Sequence, residues 1–68
     1  MKNCEKIINF LEQNSHYYCD DCISKLCKIY PRQQVNQICN LRIQKKLIKR
    51  INICNECGKE KITRKILN

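Results

Sequence analysis

Two short cysteine motifs carry the clearest chemistry in this chain. They are Cys19-Asp20-Asp21-Cys22 and Cys54-Asn55-Glu56-Cys57, the second followed directly by Gly58. Two residues between two cysteines form a tight turn that aims both sulfurs at one point. Zn²⁺ takes four ligands at tetrahedral corners, with Zn–S distances of about 2.3 Å. Two such turns from distant parts of a chain complete a closed site, so Cys19, Cys22, Cys54 and Cys57 are expected to hold one structural zinc ion. Gly58 suits a knuckle whose backbone N–H groups turn toward the sulfurs, because glycine meets unusual dihedrals at no steric cost. Four thiolates leave no open position for water, so no catalytic role follows from such a metal. Two readings stand against zinc. A pair of redox dithiols would need a βαβ context that the pattern lacks; an iron–sulfur cluster is the other. His16, three residues before the first pair, is an alternative ligand, but a lone histidine there reads more simply as a capping or surface group. Cys4, Cys27 and Cys39 fall on helical apolar stripes and read as small core residues.

The size of the chain explains why it needs such a staple. Sixty-eight residues make one domain, and a domain this small buries only about 60% of the surface its unfolded chain exposes. Metals, disulfides or partner subunits usually supply the remainder. Seven cysteines cannot all pair within the chain. The opening run MKNCEKIINF has no long apolar stretch and no cleavage signal, which points to a cytoplasmic protein with reduced thiols. No segment approaches the roughly 20 apolar residues of a membrane helix. One glycine and one proline argue against disorder and against a flexible linker. There is no carboxylate pair in a plausible cleft, no nucleophile–base arrangement and no glycine-rich phosphate loop, so an enzyme is not expected.

The elements that must position the cysteines follow from periodicity. Residues 3–14 predict a first helix, with Asn3 as a cap, Glu5 in the first turn, and Cys4, Ile7, Ile8 and Leu11 on one stripe. Residues 20–29 predict a second, with Asp20 and Asp21 at its start and Ile23, Leu26, Cys27 and Tyr30 as its buried stripe. Tyr30-Pro31 breaks it. Residues 31–45 predict a third, opened by Pro31, with Val35, Ile38, Cys39 and Ile43 toward the core. Leu41 and Arg42 fit that stripe poorly: the arginine falls near the apolar side and the leucine off it. Residues 47–53 and 59–67 read as two strands joined by the Cys54–Gly58 turn. Leu47, Ile51 and Ile53 share one face, and Ile62 and Ile66 alternate with Arg64 along the return strand. The expected fold is α+β: a three-helix bundle with a C-terminal two-stranded β-hairpin, stapled by a tetra-cysteine zinc site.

Charge is concentrated in the half that holds the hairpin. The formal net charge is +8; residues 1–34 hold five basic and four acidic side chains, and residues 35–68 hold nine and two. A one-sided basic field suggests a polyanionic partner, nucleic acid first, although a lysine-rich solvated surface would look the same. Arg32, Gln33, Asn36, Gln37 and Asn40 fall on the exposed side of the third helix. Amides pair with the adenine edge and arginine with guanine. Lys45, Lys46, Lys49, Arg50, Lys59, Lys61, Arg64 and Lys65 flank them as candidate phosphate contacts.

Three helices followed by a hairpin, together with the segment Pro31-Arg32-Gln33-Gln34-Val35-Asn36, resemble the small zinc-bearing winged helix-turn-helix proteins. That resemblance implies that the third helix enters the DNA major groove and that the hairpin wing meets the backbone or minor groove. It therefore implies sequence-specific binding of double-stranded DNA and transcriptional regulation. The chain departs from the family at Lys46, where a glycine often ends the recognition helix.

Two other functions fit the same residues. One is a protein-interaction module, an inhibitor or adaptor of viral or mobile-element type acting on a nucleic-acid machine. The other is an RNA- or ribosome-binding zinc protein, for which Phe10, Tyr17, Tyr18 and Tyr30 would have to stack on bases. The resemblance to winged-helix regulators, many of which dimerise, also allows a homodimer joined through the first helix or through Ile66 and Leu67.

Overall fold

The computed structural model describes residues 2–67. Helix α1 spans Asn3–Gln13. A two-residue strand β1, Tyr18–Cys19, leads into α2 at Asp20–Cys27. Helix α3 covers Arg32–Gln37 and continues as a π turn over Ile38–Arg42 and a 3₁₀ turn over Gln44–Lys46. Strands β2, Leu47–Ile53, and β3, Glu60–Ile66, form the terminal hairpin.

The sheet corrects the expected architecture. It has three antiparallel strands in the order β1-β3-β2, not two. Tyr18 pairs with Arg64 and Cys19 with Thr63, so the first cysteine of the first motif is itself a sheet residue. Two residues give too little alternation to show in a sequence. The hairpin register sets Leu47 opposite Ile66, Lys49 opposite Arg64 and Ile51 opposite Ile62.

The core lies where the three helices meet the inner end of the sheet. Ile7 and Leu11 of α1, Ile23 of α2, Val35 of α3, and Ile38, Cys39 and Ile43 beyond it are all buried, with Leu47 and Ile66 closing the sheet side. Helix α2 ends two residues earlier than its stripe implies. Lys28 adopts a left-handed conformation, φ 57°, and Ser24 Oγ donates to the Ile29 carbonyl. The chain thereby turns Ile29 inward and leaves Leu26 and Tyr30 exposed, reversing two expected core positions.

The π turn resolves the misfit at Leu41 and Arg42. The Ile43 N–H donates to the Ile38 carbonyl at 3.1 Å, five residues back rather than four. One extra residue is accommodated in that turn. Ile38, Cys39 and Ile43 all reach the core, while Leu41 and Arg42 face solvent, Leu41 with 73% of its surface exposed.

Candidate metal centre and nucleic-acid surface

The four predicted ligands converge. Their Sγ atoms all lie within 4.8 Å of one another, and Cys19 Sγ is 3.9 Å from Cys57 Sγ. Sulfurs at the corners of a tetrahedron of radius about 2.3 Å sit about 3.8 Å apart, so the cluster has the dimensions of a closed four-thiolate metal site. Cys19, Cys22 and Cys54 are buried and Cys57 is exposed. His16 is exposed and does not join the cluster.

Local backbone builds this convergence. Cys19 ends β1 and Cys22 lies in the first turn of α2, so the strand-to-helix junction presents both thiols. The second pair sits in the hairpin turn, where the Gly58 N–H donates to the Cys54 carbonyl and the Cys54 N–H to the Lys59 carbonyl. Gly58 has φ 73°, and a Cβ there would meet nothing within 4 Å. Glycine is thus required for the backbone conformation and not for space. The two halves are sewn together beside the sulfurs. The Asn55 N–H donates to the Tyr17 carbonyl at 2.7 Å, and the Cys19 N–H points at Cys54 Sγ at 3.4 Å.

Those amides also set the proton chemistry. Burial alone would push the Cys54 thiol up, but the N–H groups of Cys57, Cys19 and Glu56 converge on its sulfur and hold it down to about 6. Burial pushes Cys19 and Cys22 up, and Cys22 shares its proton with the neighbouring sulfurs. Cys39 is different: it lies in the core, burial drives its thiol up to about 12, and it behaves as a small apolar group. Cys27 is raised by burial in the same way.

The candidate DNA contacts separate into three groups. Gln33 and Gln37 of α3, Lys45 and Lys46 of the 3₁₀ turn, Lys49 and Arg50 of β2, and Lys59 before β3 are exposed. Arg32 and Lys61 are partly exposed but both engage Asp21, at 3.0 and 2.9 Å. The hydrogen bond from Lys61 holds the Asp21 carboxyl below the usual carboxylate range, with Arg32 and Lys59 adding to it. Arg50 and Lys65 flank the Tyr17 ring, with their charged groups 5.7 and 5.9 Å from its centroid.

Arg64, Asn36 and Asn40 form the third group, and Arg64 is a correction. It is 1% exposed and cannot reach a phosphate. Positions 62, 64 and 66 share one face of β3, so Arg64 enters the molecule beside Ile66. Its Nε and Nη2 donate to the two carboxylate oxygens of Asp20, each at 3.0 Å, and its Nη1 donates to Asn40 Oδ1 at 2.7 Å. Asn36 donates to Asp20 Oδ2 at 3.1 Å, and Asn40 donates to Asn36 Oδ1 at 3.2 Å. Among the described residues no buried side-chain nitrogen or oxygen lacks a partner. This network ties α3 to β3 through the residue that follows Cys19. Asp20 had a plain sequence role as a helix-start acid; the parity of Arg64 with Ile62 and Ile66 was the signal that it needed an internal partner.

No helix among the described residues is long and apolar enough to cross a membrane. No protein-family model matches the chain, and neither a curated protein nor a solved structure matches it.

Proposed function

We propose that this chain is a small double-stranded-DNA-binding protein, a zinc-stapled winged helix-turn-helix that acts in the cytoplasm as a transcriptional regulator. The observation that carries this reading is the pairing of Gln33 and Gln37, one turn apart on the exposed side of α3, with a basic hairpin next to it. Amide side chains at that spacing can each meet an adenine edge with two hydrogen bonds. Lys45, Lys46, Lys49, Arg50 and Lys59 supply the phosphate contacts that fix register without reading sequence. The order helix, strand, helix, helix, hairpin, with the short strand added to the hairpin, supports the winged arrangement.

Zinc is the metal that best suits four thiolates at this spacing. Its role is mechanical. Cys19 and Cys22 belong to the β1–α2 junction and Cys54 and Cys57 to the hairpin tip. A shared ion therefore fixes the wing relative to the body that carries α3. Asn36 and Asn40, engaged with Asp20 and Arg64, position α3 and leave Gln33 and Gln37 as the readers.

The test is fluorescence anisotropy of the metal-loaded protein on a pool of duplexes, followed by selection of the bound sequences. Salt-sensitive binding with an enriched motif is expected, and Gln33→Ala with Gln37→Ala should erase the motif while retaining most of the affinity. Enrichment unchanged by that double substitution removes α3 as the reader. A second reading, docking on a protein, is favoured by Ile51, Ile53 and Ile62, which are 69%, 53% and 50% exposed on one face of the hairpin. It predicts no duplex binding by the isolated chain. RNA recognition by stacking has less support, because Tyr30 is the one aromatic side chain that is well exposed.

A further inference from the structure

We propose that Arg32 and Lys61 form a phosphate-binding cleft and that Asp21 occupies it as a built-in phosphate substitute in the unbound protein. The inference rests on the DNA-binding reading and specifies how that surface is regulated. An open groove of about 350 Å³ runs between the start of α2, helix α3 and the hairpin, lined in part by Asp21, Arg32, Lys49, Lys61 and Ile62. Asp21 Oδ1 lies 3.0 Å from Arg32 Nε, and Asp21 Oδ2 lies 2.9 Å from Lys61 Nζ. One carboxylate thus offers one oxygen to a cation on α3 and the other to a cation on β3. Two oxygens of a phosphodiester would be held in the same way.

The neighbouring Asp20 cannot take this part, because its charge is consumed by buried Arg64. The Asp21 bridge can open. Its three side chains are 57%, 47% and 37% exposed for Arg32, Asp21 and Lys61, and ion pairs this solvated contribute little to stability. A phosphate arriving at the groove therefore meets two suitable cations with a carboxylate already between them. Asp21 lowers affinity for any polyanion and leaves tight binding to ligands whose other contacts compensate for its displacement. The consequence is suppressed non-specific binding.

Duplex affinity of the metal-loaded protein, measured across a salt series, tests this with Asp21→Asn and with Glu12→Gln, an equal charge change on the exposed side of α1. Asp21→Asn is expected to tighten binding to random duplex by about fivefold, the effect of a unit charge some 4 Å away in a solvated groove. It should also steepen the salt dependence by about one counterion. Glu12→Gln should change affinity less than about twofold, since Glu12 does not line the groove, and the gain from Asp21→Asn should vanish in an Arg32→Gln/Lys61→Gln background. Equal gains from both substitutions, or weaker binding by Asp21→Asn at unchanged metal content, overturn the proposal. If Asp21→Asn loses metal, Asp21→Ser carries the same comparison. If neither the parent nor the variants bind duplex, the functional reading falls, and titration with inorganic tripolyphosphate followed by NMR decides the cleft. Tighter binding by Asp21→Asn with shifts at Arg32 and Lys61 sustains it, and no gain overturns it.

Discussion

At the residue scale, the most consequential group is one that a charge count misassigns. Arg64 belongs to the basic half of the chain, yet its guanidinium is enclosed and held by Asp20 and Asn40 through all three nitrogens. A buried ion pair adds little net stability when formed but costs heavily when one partner is removed, because the other charge is left unpaired. Asp20→Asn is therefore expected to destabilise the metal-loaded protein by about 3–5 kcal/mol in urea unfolding, more than a chain of this size readily tolerates. Replacing both partners, as in Asp20→Leu/Arg64→Met, should recover much of that loss. Cys39 gives a second prediction. With its thiol raised to about 12 by burial, it stays protonated and enclosed, and iodoacetamide at pH 8 should leave it unmodified in the native protein while labelling it in urea, as read by mass spectrometry. Sequence reasoning reached the four clustered cysteines and the core position of Cys39 by their spacing, while Cys4 and Cys27, expected in the core, are only partly buried against it. It missed the role of Arg64 because charge was weighed before strand parity.

At the element scale, hydrophobic spacing located α1, β2 and β3 to within a residue or so, and it placed the core side of α3 correctly. The failures have physical causes. Strand β1 is two residues long and exists because β3 offers it an edge, a long-range cause that no local window contains. The end of α2 is set by a left-handed Lys28, where a glycine or asparagine would have been the visible signal. The misfit at Leu41 was legible as a misfit, and its cause is the π turn that shifts the register by one residue. Two substitutions should separate the inner and outer sides of that turn. Leu41→Ser, at a solvent-facing position, is expected to change stability by less than about 0.5 kcal/mol. Ile38→Ala, at the buried first residue of that turn, should cost about 2–5 kcal/mol. Thermal melts of the two variants against the parent check both. The three-stranded sheet, β1-β3-β2, is the feature that spacing alone could not supply, and it is what brings Cys19 to the hairpin.

At the scale of the whole molecule, a metal ion held by the four clustered cysteines would make folding and metal binding one process. The 26 × 28 × 20 Å body has a small core, and its hairpin is joined to the helices beside four sulfurs. Metal uptake at that cluster would have to release protons from thiols that the fold holds protonated. Cys19 and Cys22 are raised, so each surrenders one, and affinity is expected to fall by at least about a hundredfold for each pH unit of acidification below neutrality. Below about 6 the slope should steepen, because Cys54 then takes up a proton as well. The metal-free fold has the opposite balance. The lowered Cys54 favours folding fully above its ordinary value of 9.0, and that contribution is lost as the pH falls to about 6. The raised Cys19 and Cys22 favour folding below 9.0 and lose that contribution as the pH rises through their folded values. Competition against a chromophoric chelator at stepped pH measures the metal-linked slope directly. If the four cysteines hold a metal ion, chelation at neutral pH should detach the hairpin from α2 and lower stability, as read by a shift of the urea unfolding midpoint.

The order of the cysteine pairs also bears on synthesis. All three helices precede Cys54 and Cys57, so a growing chain contains one half of the cysteine cluster before the other half is made. Two thiolates would hold a metal ion far more loosely than four, and Arg64, the charge that Asp20 requires, also follows the helices. The helices are thus expected to stay loosely packed until the hairpin joins them, so that the domain gains its stability in one step rather than helix by helix.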